Sequence, residues 1–227
     1  MLETSDAARI AALIEDGKAD SPQLLSRLEI HPLRRSIVTQ LLSWEVGDVR
    51  FWALEAAMRI YSRQEYVDAL DRAVRDPDEE VKSEAIGRLA DVAPDRLLLL
   101  APSLAKRLNA EIPSLEKVFL LWTLAKTGAV ETLPQISQLR STEPDGTQVA
   151  RVCDVVSLYL KAGAQPILDS IREHGDHAHM EELSTIAWHV LATPAAREAL
   201  DECAANAPDE ECRGNCNYAL QRWDGEG

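Results

Sequence analysis

Residues 69–92 read ALDRAVRDPDEEVKSEAIGRLADV. An apolar-periodic stretch ends near Val74, Asp76-Pro77-Asp78 interrupts it, and a second stretch starts at Val81. Asp76-Pro77 punctuates the chain, and Asp78-Glu79-Glu80 opens the helix after it, where the helix dipole favours carboxylates. In the second stretch Val81, Ala85 and Leu89 recur every four residues and share one helix face. The segment is therefore helix, tight turn, helix, with small side chains on the stripe where helices must approach closely.

The same pattern recurs along the chain. VRFWALEAAMRI starts at Val49, VKSEAIGRLADV at Val81, LEKVFLLWTLAK at Leu115, VARVCDVVSLYL at Val149 and LSTIAWHVLATP at Leu183. These starts are separated by 32, 34, 34 and 34 residues, and a shorter step of 29 reaches CRGNCNYALQRW at Cys212. Four residues after the starts stand Ala53, Ala85, Phe119, Cys153 and Ala187, which are expected to be buried. Eight residues after stand Ala57, Leu89, Thr123, Ser157 and Leu191. Between these second helices lie first helices, read as Leu33–Leu42, Gln64–Val74, Arg96–Leu108, Glu131–Leu139, Pro166–Arg172 and Ala195–Ala204. Gly and Pro punctuate the chain at short intervals, and period-two alternation is absent. Ser5 is read as the cap of a first helix ending near Gly17, and Ser21-Pro22 as the start of another.

Two-helix periods of this length are the signature of an α-solenoid. The segment 69–92 resembles a HEAT repeat of the short bacterial type. Asp76-Pro77-Asp78, Val81-Lys82, Ala85 and Leu89 carry the likeness, and Asp48-Val49-Arg50 echoes it one repeat earlier. Leu115-Glu116 and Val149-Ala150 lack the basic residue. The expected fold is all-α: a right-handed solenoid of six to seven antiparallel helix pairs in one domain over 1–227. Residues 1–31 would form a divergent pair, 33–193 the core repeats, 194–223 a capping repeat and 224–227 a tail.

Composition narrows the function classes. The 227 residues are 46% hydrophobic, enough for a core, and carry 24 Lys+Arg against 38 Asp+Glu, a net charge of −14. That balance argues against nucleic acid as partner, because phosphate binding needs Lys and Arg, and it suits a basic protein. No apolar run is long enough to span a membrane, and MLETSDAARIAALIEDG lacks the basic start and apolar run of a secretory leader. A cytoplasmic protein is expected.

The four cysteines, Cys153, Cys203, Cys212 and Cys216, are then expected as reduced thiols acting as small buried hydrophobes. The alternatives are zinc, or a Cys203–Cys212 disulfide. The C-x8-C-x3-C spacing matches no closed zinc site, and every nearby histidine precedes the cluster. EHGDHAH, with His174, Asp176, His177 and His179, reads as a polar turn between helices, with a divalent-metal ligand set as the alternative. No metal and no cofactor are expected. Acid runs such as Asp78-Glu79-Glu80 and Glu181-Glu182 open second helices, where the helix dipole favours carboxylates. No nucleophile elbow, phosphate loop or HExxH motif occurs, and no catalytic residue is assigned. Of the five tryptophans, Trp122 reads as core because VFLLWTLA is apolar all round.

The register also locates a surface. Positions two, six and ten after each start lie at about 200–280° from the packing stripe. They are Phe51, Glu55, Arg59; Ser83, Gly87, Asp91; Lys117, Leu121, Ala125; Arg151, Val155, Tyr159; and Thr185, His189, Thr193. Resemblance to HEAT proteins implies that second helices line a concave face. The expected function is a non-enzymatic scaffold, adaptor or inhibitor that binds a protein partner through Phe51, Glu55, Arg59, Lys117, Arg151, Tyr159 and His189. The alternative the resemblance offers is a HEAT-like enzyme of the bilin-lyase or DNA-glycosylase type. The second of these would need a basic track, for which Arg50, Arg59, Lys82, Arg88, Lys117 and Arg151 are the available residues.

Overall fold

The computed structural model describes residues 2–17, 21–174 and 177–225, and Asp176 lies outside them. Among the described residues there are 14 helices and no strands, so the chain is all-α. Its contacts group into two compact units, Met1–Arg96 and Leu97–Gly227. The division falls within the 3-10 turn Pro94–Leu97.

The first unit holds α1 (Leu2–Glu15), α2 (Ser21–Glu29), α3 (Arg34–Leu41), α4 (Gly47–Ile60), α5 (Arg63–Ala73) and α6 (Glu79–Val92). Each helix packs on its successor in the order α3, α4, α5, α6; α4 also packs on α6, and α1 on α3 and α4. The helix starts have local causes. Ser62 and Glu65 form a reciprocal capping box at α5. Asp78 accepts from the Glu80 and Val81 amides at 3.0 and 3.2 Å and so opens α6. α1 begins at Leu2, before Ser5, and the Ser5 side chain lies outside what the structure describes. The stripe holds as read: Val49, Ala53, Ala57, Val81, Ala85 and Leu89 are buried. Gly47 is required by contact with the next repeat, since a Cβ there would lie 2.1 Å from an Asp78 carboxylate oxygen.

The second unit holds α7 (Ala101–Leu108), α8 (Ser114–Thr127), α9 (Leu133–Thr142), α10 (Gln148–Ala162), α11 (Ala164–Glu173), α12 (Met180–Thr185), α13 (Pro194–Asn206) and α14 (Glu210–Gly225). Here α7 packs on α8 and α9, α10 on α8, α9 and α11, and α13 on α11 and α14; α12 packs on α14. A π-helical segment, Ile186–Leu191, follows α12 and touches α8, two second helices upstream.

Two registers shift in this unit. Leu115, read as a packing residue, is 78% exposed, and Phe119 is only half-buried. The buried residues of α8 are Val118, Leu120, Leu121, Thr123, Leu124 and Ala125, so of its three stripe positions only Thr123 is buried. The sequence VFLLWTLA is apolar on every side, so periodicity does not choose a face. Polar ties choose it: Lys117 reaches Glu143 at 2.8 Å, and Arg107 pairs with Glu116. Trp122, expected in the core, is half-buried. The second shift comes from the π segment, whose wider turn breaks the 100° step assumed for LSTIAWHVLATP. Thr193 accordingly lies beyond the helix and caps α13 instead.

The cysteines also differ from expectation. Cys203 of α13 and Cys216 of α14 are disulfide-bonded, while Cys153 and Cys212 are free and buried. The expected set of four thiols, and the alternative Cys203–Cys212 pair, both give way to this bond. The reason is geometric: α13 and α14 pack along their length, and Cys216 lies one turn beyond Cys212 on the same buried face.

Candidate functional site

The surface read from the register differs between the units. In the first, Phe51 and Met58 are exposed and Glu55 stands between them at half exposure. Residues separated by four and seven positions share a helix face, so α4 presents Phe51, Glu55 and Met58 as one stripe with Arg59 beside it. Its charges are already partnered. Arg88 of α6 holds Glu55 at 2.9 Å and Glu84 at 2.6 Å, and its Nη1 lies 3.2 Å from the Met58 sulfur. Arg59 reaches Glu29 at 3.4 Å.

In the second unit the corresponding middle positions are closed. Leu121 and Val155, the counterparts of Glu55, are buried, as is Ala125 at the last position of its triplet. Tyr159 is half-buried, and burial raises its phenol pKa. His189 is half-buried with its ring centroid 4.8 Å from that of Trp188.

Lys117 and Arg151 have structural partners. Arg151 donates to Glu182 at 2.8 Å and to the Gly146 carbonyl at 2.9 Å, and lies 3.7 Å from Glu181. Arg50 does the same work in the first unit, donating to both Asp76 oxygens at 2.8 and 2.6 Å and to the Trp44 and Glu45 carbonyls. With Arg50–Asp76, Lys117–Glu143 and Arg151–Glu182, a cation early in a second helix ties its own unit to the loop or helix that follows. The sequence reading saw the cation lost after Val81-Lys82; Lys117 and Arg151 restore it one residue later. All six residues that could have formed a basic track face carboxylates, Lys82 through Glu79 on its own helix.

A second cluster joins residues that the sequence holds apart. His177, in the 3-10 turn His177–His179, lies with its Nδ1 3.1 Å from the Cys212 sulfur. Asp209 accepts from the Glu211 and Cys212 amides at 2.9 and 3.1 Å and so caps the first turn of α14. The ligand-type atoms of His177, Asp209 and Cys212 all lie within 4.8 Å of one another. The Cys203 sulfur is 3.7 Å from the Cys212 carbonyl oxygen. Burial raises the Cys212 thiol pKa, with the Asp209 and Glu211 carboxylates adding to it. The amide of Cys212 helps hold Asp209 below the usual carboxylate range. Of the other residues in EHGDHAH, His179 lies 3.6 Å from Asp154, and His174 adopts a left-handed backbone at the end of α11.

No protein-family model matches the chain, and no curated protein or solved structure matches it. The HEAT-like resemblance thus rests on the residues of this chain alone.

Two chemistries are available. The α4 stripe offers exposed apolar side chains flanked by charges already held in ion pairs. The cluster at α14 offers thiol, imidazole and carboxylate donors. The cluster leaves no local motif in the sequence, because His177 comes from 35 residues upstream of Cys212. The signal that was present is the repeat itself: a step of about one repeat separates the two.

Proposed function

We propose that the protein is a helical-repeat interaction module: a right-handed α-solenoid of six to seven antiparallel helix pairs that acts by binding a protein rather than by catalysis. The observation that carries this reading is the stripe of Phe51, Glu55 and Met58 on α4. Aromatic residues and methionine are enriched at interface cores. Here they stand exposed, beside ion pairs that already fix the neighbouring side chains, so less ordering remains for a partner to impose. The net charge of −14 makes a basic protein the complementary partner. The pairing of the six cations with carboxylates weighs against a phosphate backbone as ligand. Lys117 and Arg151 are removed from the proposed contact set, because their guanidinium or ammonium groups hold the fold; Phe51, Met58 and Arg59 are its centre.

The test is comparative capture. Tagged wild-type protein, the Phe51→Ala/Met58→Ala variant and a Leu115→Ala control are used to enrich binders from the source cell. The reading expects proteins retained by wild type and control and lost by the double variant. Equal capture by all three rejects the α4 stripe. A titration then quantifies the loss, expected at about 1–3 kcal/mol for each anchor removed.

A further inference from the structure

We propose that Cys203, Cys212, Cys216 and His177 form a thiol-gated site for a thiophilic divalent cation of the zinc type, closed as the Cys203–Cys216 disulfide and open when that bond is reduced. The donors converge from three elements. α13 supplies Cys203, α14 supplies Cys212 and Cys216 four residues apart, and the turn before α12 supplies His177. The Cys203–Cys216 bond places two sulfurs together, the Cys203 sulfur lies 3.7 Å from the Cys212 carbonyl, and the Cys212 sulfur lies 3.1 Å from His177 Nδ1. Donors around a tetrahedral zinc ion stand about 3.5–4 Å apart, given zinc–sulfur and zinc–nitrogen bonds of about 2.0–2.3 Å. The His177–Cys212 contact is the preformed half of the site, and reduction of Cys203–Cys216 frees the other two sulfurs to turn toward it.

Three thiolates and an imidazole select zinc over magnesium or calcium, which take oxygen donors. Asp209 is the positioning residue: it holds the first turn of α14 through the Glu211 and Cys212 amides. His177 is exposed while the sulfurs are buried, so the ion enters from the histidine side and seals against the core.

The opening step balances with a phosphine reductant. The phosphine and one water reduce the disulfide, giving the Cys203 and Cys216 thiols and the phosphine oxide. Cation binding then releases three thiol protons, from Cys203, Cys212 and Cys216, and leaves three sulfurs and one nitrogen on the metal. A biological dithiol would serve equally, becoming a disulfide itself. A disulfide oxidant closes the site: it takes two electrons and two protons to become two thiols while the Cys203–Cys216 bond re-forms, which removes two of the four donors and expels the ion.

The experiment uses the full chain, reduced with a phosphine under nitrogen or left oxidised, and titrated with Zn²⁺ and with Co²⁺ as a spectroscopic stand-in. The reduced chain should bind one ion. Its Co²⁺ form should show tetrahedral d–d bands and thiolate-to-metal charge transfer at the strength of three thiolates. Zn²⁺ should slow alkylation of Cys203, Cys212 and Cys216 but not of Cys153. The oxidised chain should bind far more weakly. His177→Ala, on an exposed turn, should weaken the reduced chain by more than the ~10–100-fold that an outer-shell partner is worth. Asp209→Asn should fall within that range, and Cys212→Ser should remove a thiolate from the Co²⁺ spectrum. Retention of no zinc by the reduced chain would overturn the proposal. So would equal binding by both redox forms, unchanged alkylation of the three thiols, or undiminished binding in His177→Ala. None of these readouts depends on a protein partner, so the interaction reading stands or falls separately.

Discussion

Arg50–Asp76 in the first unit and Arg151–Glu182 in the second are built alike and differ in consequence. Each begins with a cation early in a second helix that also grips carbonyls of its own preceding loop. Asp76 has both oxygens engaged by the guanidinium, and one also accepts from the Asp78 amide at 2.9 Å. Burial alone would raise its pKa, but these donors outweigh burial and hold it below the ordinary carboxylate value. Glu182 is 2% exposed, with one oxygen on Arg151 and the other buried without a hydrogen-bond partner. There burial wins, and the pKa is raised despite Arg151. The sign of the shift follows the balance between burial, deeper at Glu182, and the donors that reach each carboxylate, more at Asp76. The same contrast runs through the second-helix surface: open at Phe51 and Met58, closed at Leu121 and Val155.

The largest expected effect tests the open and closed faces. Leu121→Asp should destabilise by about 4–5 kcal/mol, because it buries an unpaired charge. Phe51→Asp, at the corresponding face of α4, should change stability by only about 1 kcal/mol. Similar losses in denaturant melts of the two variants would erase the distinction between the units. Ala85→Asp, on the packing stripe, belongs with Leu121→Asp.

Next comes the pair itself. Arg50→Ala strands Asp76 in a site where both side chains are 11% exposed, and the cost should be about 3–5 kcal/mol. Arg59→Ala, whose pair with Glu29 is solvated, should cost at most about 1 kcal/mol. A double-mutant cycle on each pair gives the coupling directly.

Reduction of Cys203–Cys216, a bond of sequence separation 13, should lower stability of the metal-free chain by about 2–3 kcal/mol. Unfolding melts with and without a phosphine measure it, and an unchanged midpoint would show that the bond does not constrain the unfolded chain.

The smallest effect separates the two carboxylates by pH. Because the folded pKa of Asp76 is depressed, its contribution is present above the unfolded value near 4 and is lost as pH falls through the folded pKa. Asp76→Asn should therefore cost about 1–2 kcal/mol at neutral pH, with the difference shrinking in acid. Glu182 behaves oppositely: its raised pKa favours folding below the unfolded value, an advantage lost as pH rises through the folded pKa. Glu182→Gln should lie within about 1 kcal/mol of wild type at neutral pH, or above it. Stability curves of the two variants that move in parallel with pH would contradict the assignment of signs.

Helix content and most of the packing register were legible because small apolar residues recur at fixed steps. Val49, Val81, Val149 and Leu183 are buried, as are Ala53, Ala85, Cys153 and Ala187. The step failed where the sequence carried no directional information, in the uniformly apolar α8, and where a π turn altered the angle per residue after Ile186. Site residues were less legible for a different reason. Arg151 and Lys117 read as surface cations because their partners, Glu182 and Glu143, lie about a repeat downstream. His177 and Cys212 are separated in the same way. Pairings between adjacent repeats leave no local spacing pattern, although the repeat length itself indicates where to look.

The most direct test of the interaction reading is site-directed photocrosslinking in the source cell, with a benzophenone amino acid replacing Phe51 in one protein and Leu115 in another. Both positions are exposed, Phe51 at 39% and Leu115 at 78%, so a silent probe at position 115 would not reflect burial. The account predicts a discrete protein adduct from position 51 and none from position 115. An adduct from position 115 with none from position 51 would place recognition off the α4 stripe and contradict it.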